Sequence, residues 1–231
     1  MGSRERESGS YTRAVKWYFK GLFPLSTAFL LFLCVGFQFF GYVLGVKEIE
    51  SFLIGIFTVP LVVVGGVSHV YREDDVTVFE LSMLKTWKGI GVAKVVSVLA
   101  WDLLFSAVDL VFPLVTGEWN LYLDTVFTVV LFSCVSLLFM LSRLALTLSF
   151  LFSFMTSISS QVALLTYQSL RLHSDLMSYV FSSVSPVAGY LGESIGLIHV
   201  DFPYVYLVDS VLSAIFVTLF LFSFLRSSYK L

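Results

Sequence analysis

Two aspartates seven residues apart, Asp102 and Asp109, are the side chains whose type and spacing point most directly to chemistry. Seven residues make two helical turns, so both carboxyls fall on one helix face. They stand in an apolar run near Ile90–Val111, with Asp102 close to its middle and Asp109 towards one edge. An ionisable group at mid-membrane depth costs about 3 kcal/mol on insertion scales, so its presence calls for a role. Either it lines a pathway, or it is neutral and bonded to a neighbouring helix. Ser149, Ser153, Thr156 and Ser160 share one face of a later apolar run. Small hydroxyl side chains let helices approach and bond across their contact, and the same stripe would serve a polar route. Gln38, in the first apolar run, admits the same two readings.

Enzymatic constellations are scarce. His69, His173 and His199 are not spaced as metal ligands, and neither H-E-x-x-H nor G-x-S-x-G occurs. An intramembrane serine protease needs Ser and His facing each other within the bilayer, and no His lies in the middle of an apolar run. The expectation is a chain that is not an enzyme by itself and binds no metal, cofactor or nucleic acid.

The elements that position these residues follow from composition. Of 231 residues 58% are hydrophobic and only 13% charged, with a mean hydropathy of +0.91. Soluble domains carry about a quarter charged residues, and a soluble core of this size has no room for 24 Phe. Lipid is the natural sink. About twenty apolar residues cross a bilayer as helix, which places spans near Leu22–Leu44, Phe52–Val70, Ile90–Val111, Thr125–Leu141, Leu144–Leu165 and Val205–Leu225. The middle two divide one long run at Ser142-Arg143. Cys34 and Cys134 fall inside apolar runs, where free Cys acts as a small hydrophobe. Residues 1–10 read as a disordered tail without a cleavable signal, and 11–231 as a single six-span domain.

With the N-terminus cytoplasmic, twelve of the 14 Lys and Arg lie inside, and only Lys47 and Arg171 outside. The positive-inside rule therefore expects a multi-pass cell-membrane protein with both termini cytoplasmic. Two segments are neither spans nor plain loops. Tyr11, Ala14, Val15, Tyr18 and Leu22 line one face of a helical pattern, opposite Arg13, Lys16 and Lys20, as expected for a helix in the membrane interface. Residues 168–203 hold a short apolar piece, Leu176–Val184, then Ser185-Pro186 and Gly189, Gly192 and Gly196. That pattern suggests an extracellular helical hairpin, re-entrant or lying on the surface.

Between the second and third spans lies a charged segment beginning Arg72-Glu73-Asp74-Asp75. Val76, Phe79, Met83 and Trp87 follow at helical spacing, with carboxylates at the start and Lys85 and Lys88 near the end, as the helix dipole favours. An apolar stripe with charged ends fits a partner's groove or the bilayer surface.

An amphipathic first helix, two spans, then an acidic helix ending in Lys before a third span resembles the permeases of ABC type-2 transporters. In that family the segment after the second span is a coupling helix with a Glu, then Gly-Thr-Leu-Glu, a Leu-rich stretch with Pro, and Gly-Lys. Glu73, Thr77, Glu80 and Lys94 match its Glu, Thr, second Glu and closing Lys. Val76 stands in place of the Gly, Phe79 lengthens the Thr-to-Glu gap, no Pro follows, and Ala93 precedes Lys94. The resemblance implies an all-helical permease subunit, an exporter of unspecified substrate. Glu73, Val76, Thr77, Phe79, Glu80, Met83 and Trp87 would then couple it to a separate cytosolic ATPase. A second permease, the same or a different chain, would complete the pathway. The chain has no phosphate-binding G-x-x-x-x-G-K-[ST] loop, so ATP and Mg belong to the ATPase subunit. The alternatives are a structural or assembly subunit of a membrane complex, or an intramembrane enzyme.

Overall fold

The computed structural model describes residues 12–18, 25–71, 87–169, 175–194, 196 and 202–227. Among these every regular element is helical: α1 (12–18), α2 (Leu25–Leu44), α3 (Lys47–Val70), α4 (Trp87–Asp109), α5 (Val111–Thr116), α6 (Trp119–Phe139), α7 (Ala145–Ser169), α8 (Asp175–Val184), α9 (Pro186–Ser194) and α10 (Phe202–Ser227). Six stretches are long and apolar enough to cross a bilayer: α2, α3, α4 with α5, α6, α7 and α10. The chain is accordingly a multi-pass membrane protein. The residues expected to form a disordered tail, 1–10, lie outside the described residues.

Four spans begin earlier than apolar counting predicts, two of them by more than a helical turn. The second starts at Lys47 rather than Phe52, and the fourth at Trp119 rather than Thr125. The added turns carry Lys47, Glu48 and Glu50 in one case and Asp124 in the other, charges that stop a hydropathy count but do not stop a helix. Glu50 and Asp124 are turned inward and buried. The expected division of the long run is present as a turn through Met140–Leu144.

Both interior prolines mark breaks. Pro113 has no N–H to offer the Asp109 carbonyl four residues back, and α4 ends at Asp109 before α5 resumes. Pro60 follows a π-helical turn at Ile54–Thr58 that widens α3. Side-chain hydrogen bonds tie this region to its neighbours: Thr58 Oγ1 donates to Cys34 O of α2 at 3.2 Å, and Gln161 Nε2 of α7 to Ser51 O at 3.0 Å. A Cβ at Gly55 would sit 2.5 Å from that amide nitrogen, so a larger residue there would displace the Gln161 side chain from its bond.

The core is built around α3 and α6, and α6 touches α3, α4, α7, α9 and α10. Trp101 is its largest side chain, packed with Ile54, Val62, Phe105 and Phe132. Its indole N–H donates to Val62 O at 2.7 Å, satisfying the one polar atom of a fully buried ring. Close approach is possible because Gly65 and Gly66 lie beneath it; a Cβ on either would fall within 2.8 Å of the ring.

A second cluster closes the end of the bundle near α1. Ala14 and Tyr18 are buried against Val70, Ile90, Phe220 and Phe224, while Arg13 and Lys16 face outward. That division is the amphipathic one the sequence predicts; Tyr11, Lys20 and Leu22 lie outside the described residues. At the opposite end α8 packs on α9, and α9 is buried from Pro186 to Gly192 against α3, α6 and α7. The expected helical pair is therefore present, and its second helix lies inside the bundle.

Candidate functional site

The buried polar residues of α4, α6 and α10 form a column that starts beside α9 and ends at mid-bundle. Tyr206 OH donates to Asp124 Oδ1 at 2.7 Å, joining α10 to α6. Glu193 of α9 and Asp209 of α10 are the further charges that act on Asp124. One turn below Asp209, Ser213 faces Cys134 of α6. The neighbouring Ser133 donates from Oγ to Asp102 Oδ1 at 3.0 Å, reaching α4. Asp102, Asp124 and Asp209 are each no more than 1% exposed. Neither oxygen of Asp209 has a hydrogen-bond partner, and Asp102 and Asp124 each keep one oxygen unpartnered. Helix rise alone sets the depths. Asp124 and Asp209 stand roughly 8 and 10 Å from the starts of their helices and Ser133 roughly 20 Å along α6, and the Ser133 bond brings Asp102 of the antiparallel α4 to that level.

The α9 end also holds a smaller polar group around Glu118. Tyr190 OH donates to Glu118 Oε2 at 3.0 Å, and Lys47 Nζ lies 3.9 Å from Glu118 Oε1 and 5.9 Å from the Tyr190 ring centre. Tyr190 lies outside the six long helices. Burial, reinforced by the Glu118 carboxylate, pushes its phenol above the ordinary tyrosine range, which keeps it a donor. Glu50 belongs to the same group through its electrostatic contact with Glu118 and Lys47.

Asp109 is fully buried with Gln38 beside it. The two side chains face each other, but no oxygen or nitrogen of the pair makes a hydrogen bond of good geometry. The serine stripe behaves differently. Ser149, Ser153 and Ser160 are buried and Thr156 is half-buried. Ser153 donates to Ser149 O at 2.6 Å and Ser160 to Thr156 O at 2.8 Å, so both hydroxyls are turned back on their own helix. With Ser157 and Gln161 they lie where α7 packs closely on α3, which fits the packing role, although Ser149 Oγ, Ser157 Oγ and Gln161 Oε1 have no partner.

Of the residues read as ATPase-coupling, Glu73, Val76, Thr77, Phe79, Glu80 and Met83 lie outside the described residues. Trp87 is described, and it joins the bundle. Its ring stacks on Phe224 with centres 4.5 Å apart and planes 7° from parallel, and its Nε1–H donates to Phe224 O at 2.9 Å. Lys94, the closing Lys of the motif, is 4% exposed and donates from Nζ to Val70 O at 2.8 Å, with the Tyr18 ring 5.6 Å away. Two residues that flank the charged segment are thus pinned, one to α10 and one to the end of α3.

The sequence reading did not single out Glu50, Asp124, Tyr206, Asp209, Gln161 or Glu118. Asp209 was open to discovery, because it sits in the sixth apolar run and the rule that marks Asp102 applies to it equally. Among the described residues no three His, Cys, Asp or Glu side chains converge as metal ligands. What the column offers chemically is a series of carboxyls and hydroxyls able to hold and pass protons in an otherwise apolar bundle. In comparisons with known proteins no family model matches the chain, nor does any curated protein or solved structure.

Proposed function

We propose that the chain is the membrane-spanning permease subunit of an ABC transporter, powered by separate cytosolic ATPase subunits and paired with a second permease. The observation that supports this most is the placing of α9. A short helix between the fifth and sixth spans is packed among α3, α6 and α7 instead of forming a simple connecting loop. Interrupted helices of this kind are tolerated at membrane depth where protein or water covers them, and they recur where a membrane protein must open a route. The resemblance to the ABC type-2 permeases supplies the rest of the reading: a helix near 73–88 docks on the ATPase, and both termini are cytoplasmic. The anchoring of Trp87 to α10 and of Lys94 to the end of α3 supports a mechanical role for that segment. A displacement of the docking helix would be passed to α3, α4 and α10 as rigid bodies. The outward faces of α2 and α10, with Phe29, Phe32, Tyr204 and Phe222 uncovered, would meet lipid or the second permease. ATP and Mg would be held by the ATPase, and the direction would be export.

Co-purification tests this. The chain should recover an ATPase from its native membrane in a nucleotide-sensitive manner. Phe79→Ala or Glu80→Lys should reduce that recovery while leaving membrane insertion intact. Recovery of no ATPase by the unaltered protein would overturn the reading in favour of a structural subunit. Unchanged recovery by both variants would move the docking surface elsewhere.

A further inference from the structure

We propose that Asp124, Asp209 and Asp102 are the proton-binding groups of one column, which carries protons from the Glu193 end of the bundle to Asp102. The inference stands apart from any ATPase partner and rests on the interior of this chain alone. A lone carboxylate enclosed in an apolar surrounding needs a cation, donors or a proton. Asp209 has no donor on either oxygen, and Asp102 and Asp124 have one donor each, a serine and a tyrosine hydroxyl. The titratable groups around Asp124 and its partner Tyr206 are Glu193 of α9 and Asp209 of α10, and Tyr190 of α9 stands between Glu118, Glu50 and Asp124. The one described cation at this end, Lys47, lies on Glu118 and over the Tyr190 ring, and is not among the charges that act on Asp124 or Asp209. No metal-ligand cluster is present among the described residues, and a single carboxyl in such a place takes a proton.

The order of groups defines the path. Glu193 is half-buried at the end of α9 and so meets solvent. From there the column runs through Asp124, Tyr206 and Asp209, one helical turn to Ser213, then to Cys134, Ser133 and Asp102. Each transfer breaks one O–H or S–H bond, forms one on the next acceptor and moves no electrons. A hydroxyl or thiol in the chain gives up one proton as it receives another and is left unchanged.

Infrared spectroscopy of the full chain in lipid nanodiscs reads the protonated carboxyls directly. The unaltered protein should show a protonated-carboxyl C=O band at neutral pH, with part of its area lost in each of D102N, D124N and D209N. On transfer to heavy water the band should shift as protons exchange. In D124N/D209N the remaining Asp102 component should exchange more slowly, because the supply has been cut. Tyr206→Phe keeps the ring and its packing on Phe127, and removes the donor to Asp124. It should raise the frequency of one component and slow exchange even if the double variant folds poorly. Absence of the band, a band area in all three single variants equal to that of the unaltered protein, or exchange at the unaltered rate in both D124N/D209N and Tyr206→Phe would overturn the proposal.

Discussion

The two ends of the helical bundle treat charge in opposite ways. At the α1 end the buried charge is a cation, Lys94, and it is answered by the Val70 carbonyl and the face of Tyr18. Trp87 and Phe224 close over the same end with a stacked pair and an indole-to-carbonyl bond. At the α9 end the buried charges are carboxyls, Glu50, Asp124 and Asp209, and the one described cation among them is the exposed Lys47 on Glu118. One end answers its buried cation with a carbonyl and a ring and locks helices together, and its unpartnered atoms are the neutral hydroxyls of Ser97, Ser136 and Ser149. The other leaves carboxyl oxygens of Glu50, Asp124 and Asp209 without partners, a larger stability cost that a purely structural bundle has no reason to carry. The difference separates the part of the molecule that holds shape from the part that holds chemistry.

The largest expected effect comes from breaking the α1 end. Lys94→Met keeps the apolar stem and removes the ammonium. Hydrogen bonds from charged groups contribute about 2 kcal/mol, and loss of the Tyr18 contact adds about 1 kcal/mol. Unfolding in mixed micelles should show a total loss of about 3 kcal/mol. If Lys94→Met is as stable as the parent chain, the α1 end is not a lock and the contrast fails.

A smaller effect is expected from Tyr206→Phe at the acidic end. Interhelical hydrogen bonds in membrane proteins contribute about 0.6 kcal/mol on average, so the same unfolding assay should lose well under half of what Lys94→Met loses. A loss equal to that of Lys94→Met would make the Asp124–Tyr206 bond a structural lock like those at the α1 end.

The elements were legible where they follow from local rules. Apolar run length places the six spans, and the turn at Ser142-Arg143 splits the long run. Asp102 was marked by its depth alone. Its partner was not, because Ser133 is 31 residues away and only helix packing brings them together. The same holds for Asp124 with Tyr206, separated by 82 positions, and Gln161 with Ser51, separated by 110. Glu50 and Asp124 escaped for a different reason. Counting apolar residues stops at a charge, so acids in the first turns of a span read as loop although the helix already includes them. The Ser149–Ser160 stripe was visible as a face, but only the return of the Ser153 and Ser160 hydroxyls to their own backbone favours packing.

The smallest effect sharpens the comparison from the exposed side. Lys47 approaches Glu118 only to 3.9 Å, and its side chain is 55% exposed. Surface pairs of this kind contribute about 0.5 kcal/mol or less, so Lys47→Ala should barely change stability, and the remaining difference should fade in high salt. Stability is then the wrong place to look for the role of Lys47. As the one described cation near Glu50 and Glu118, it sets the charge at the mouth of the acidic end. Its removal should leave the unfolding midpoint almost unmoved while altering proton exchange into the column. A large loss of stability in Lys47→Ala would instead mean that the α9 end, like the α1 end, depends on a cation to hold its helices, and the division between the two ends would not stand.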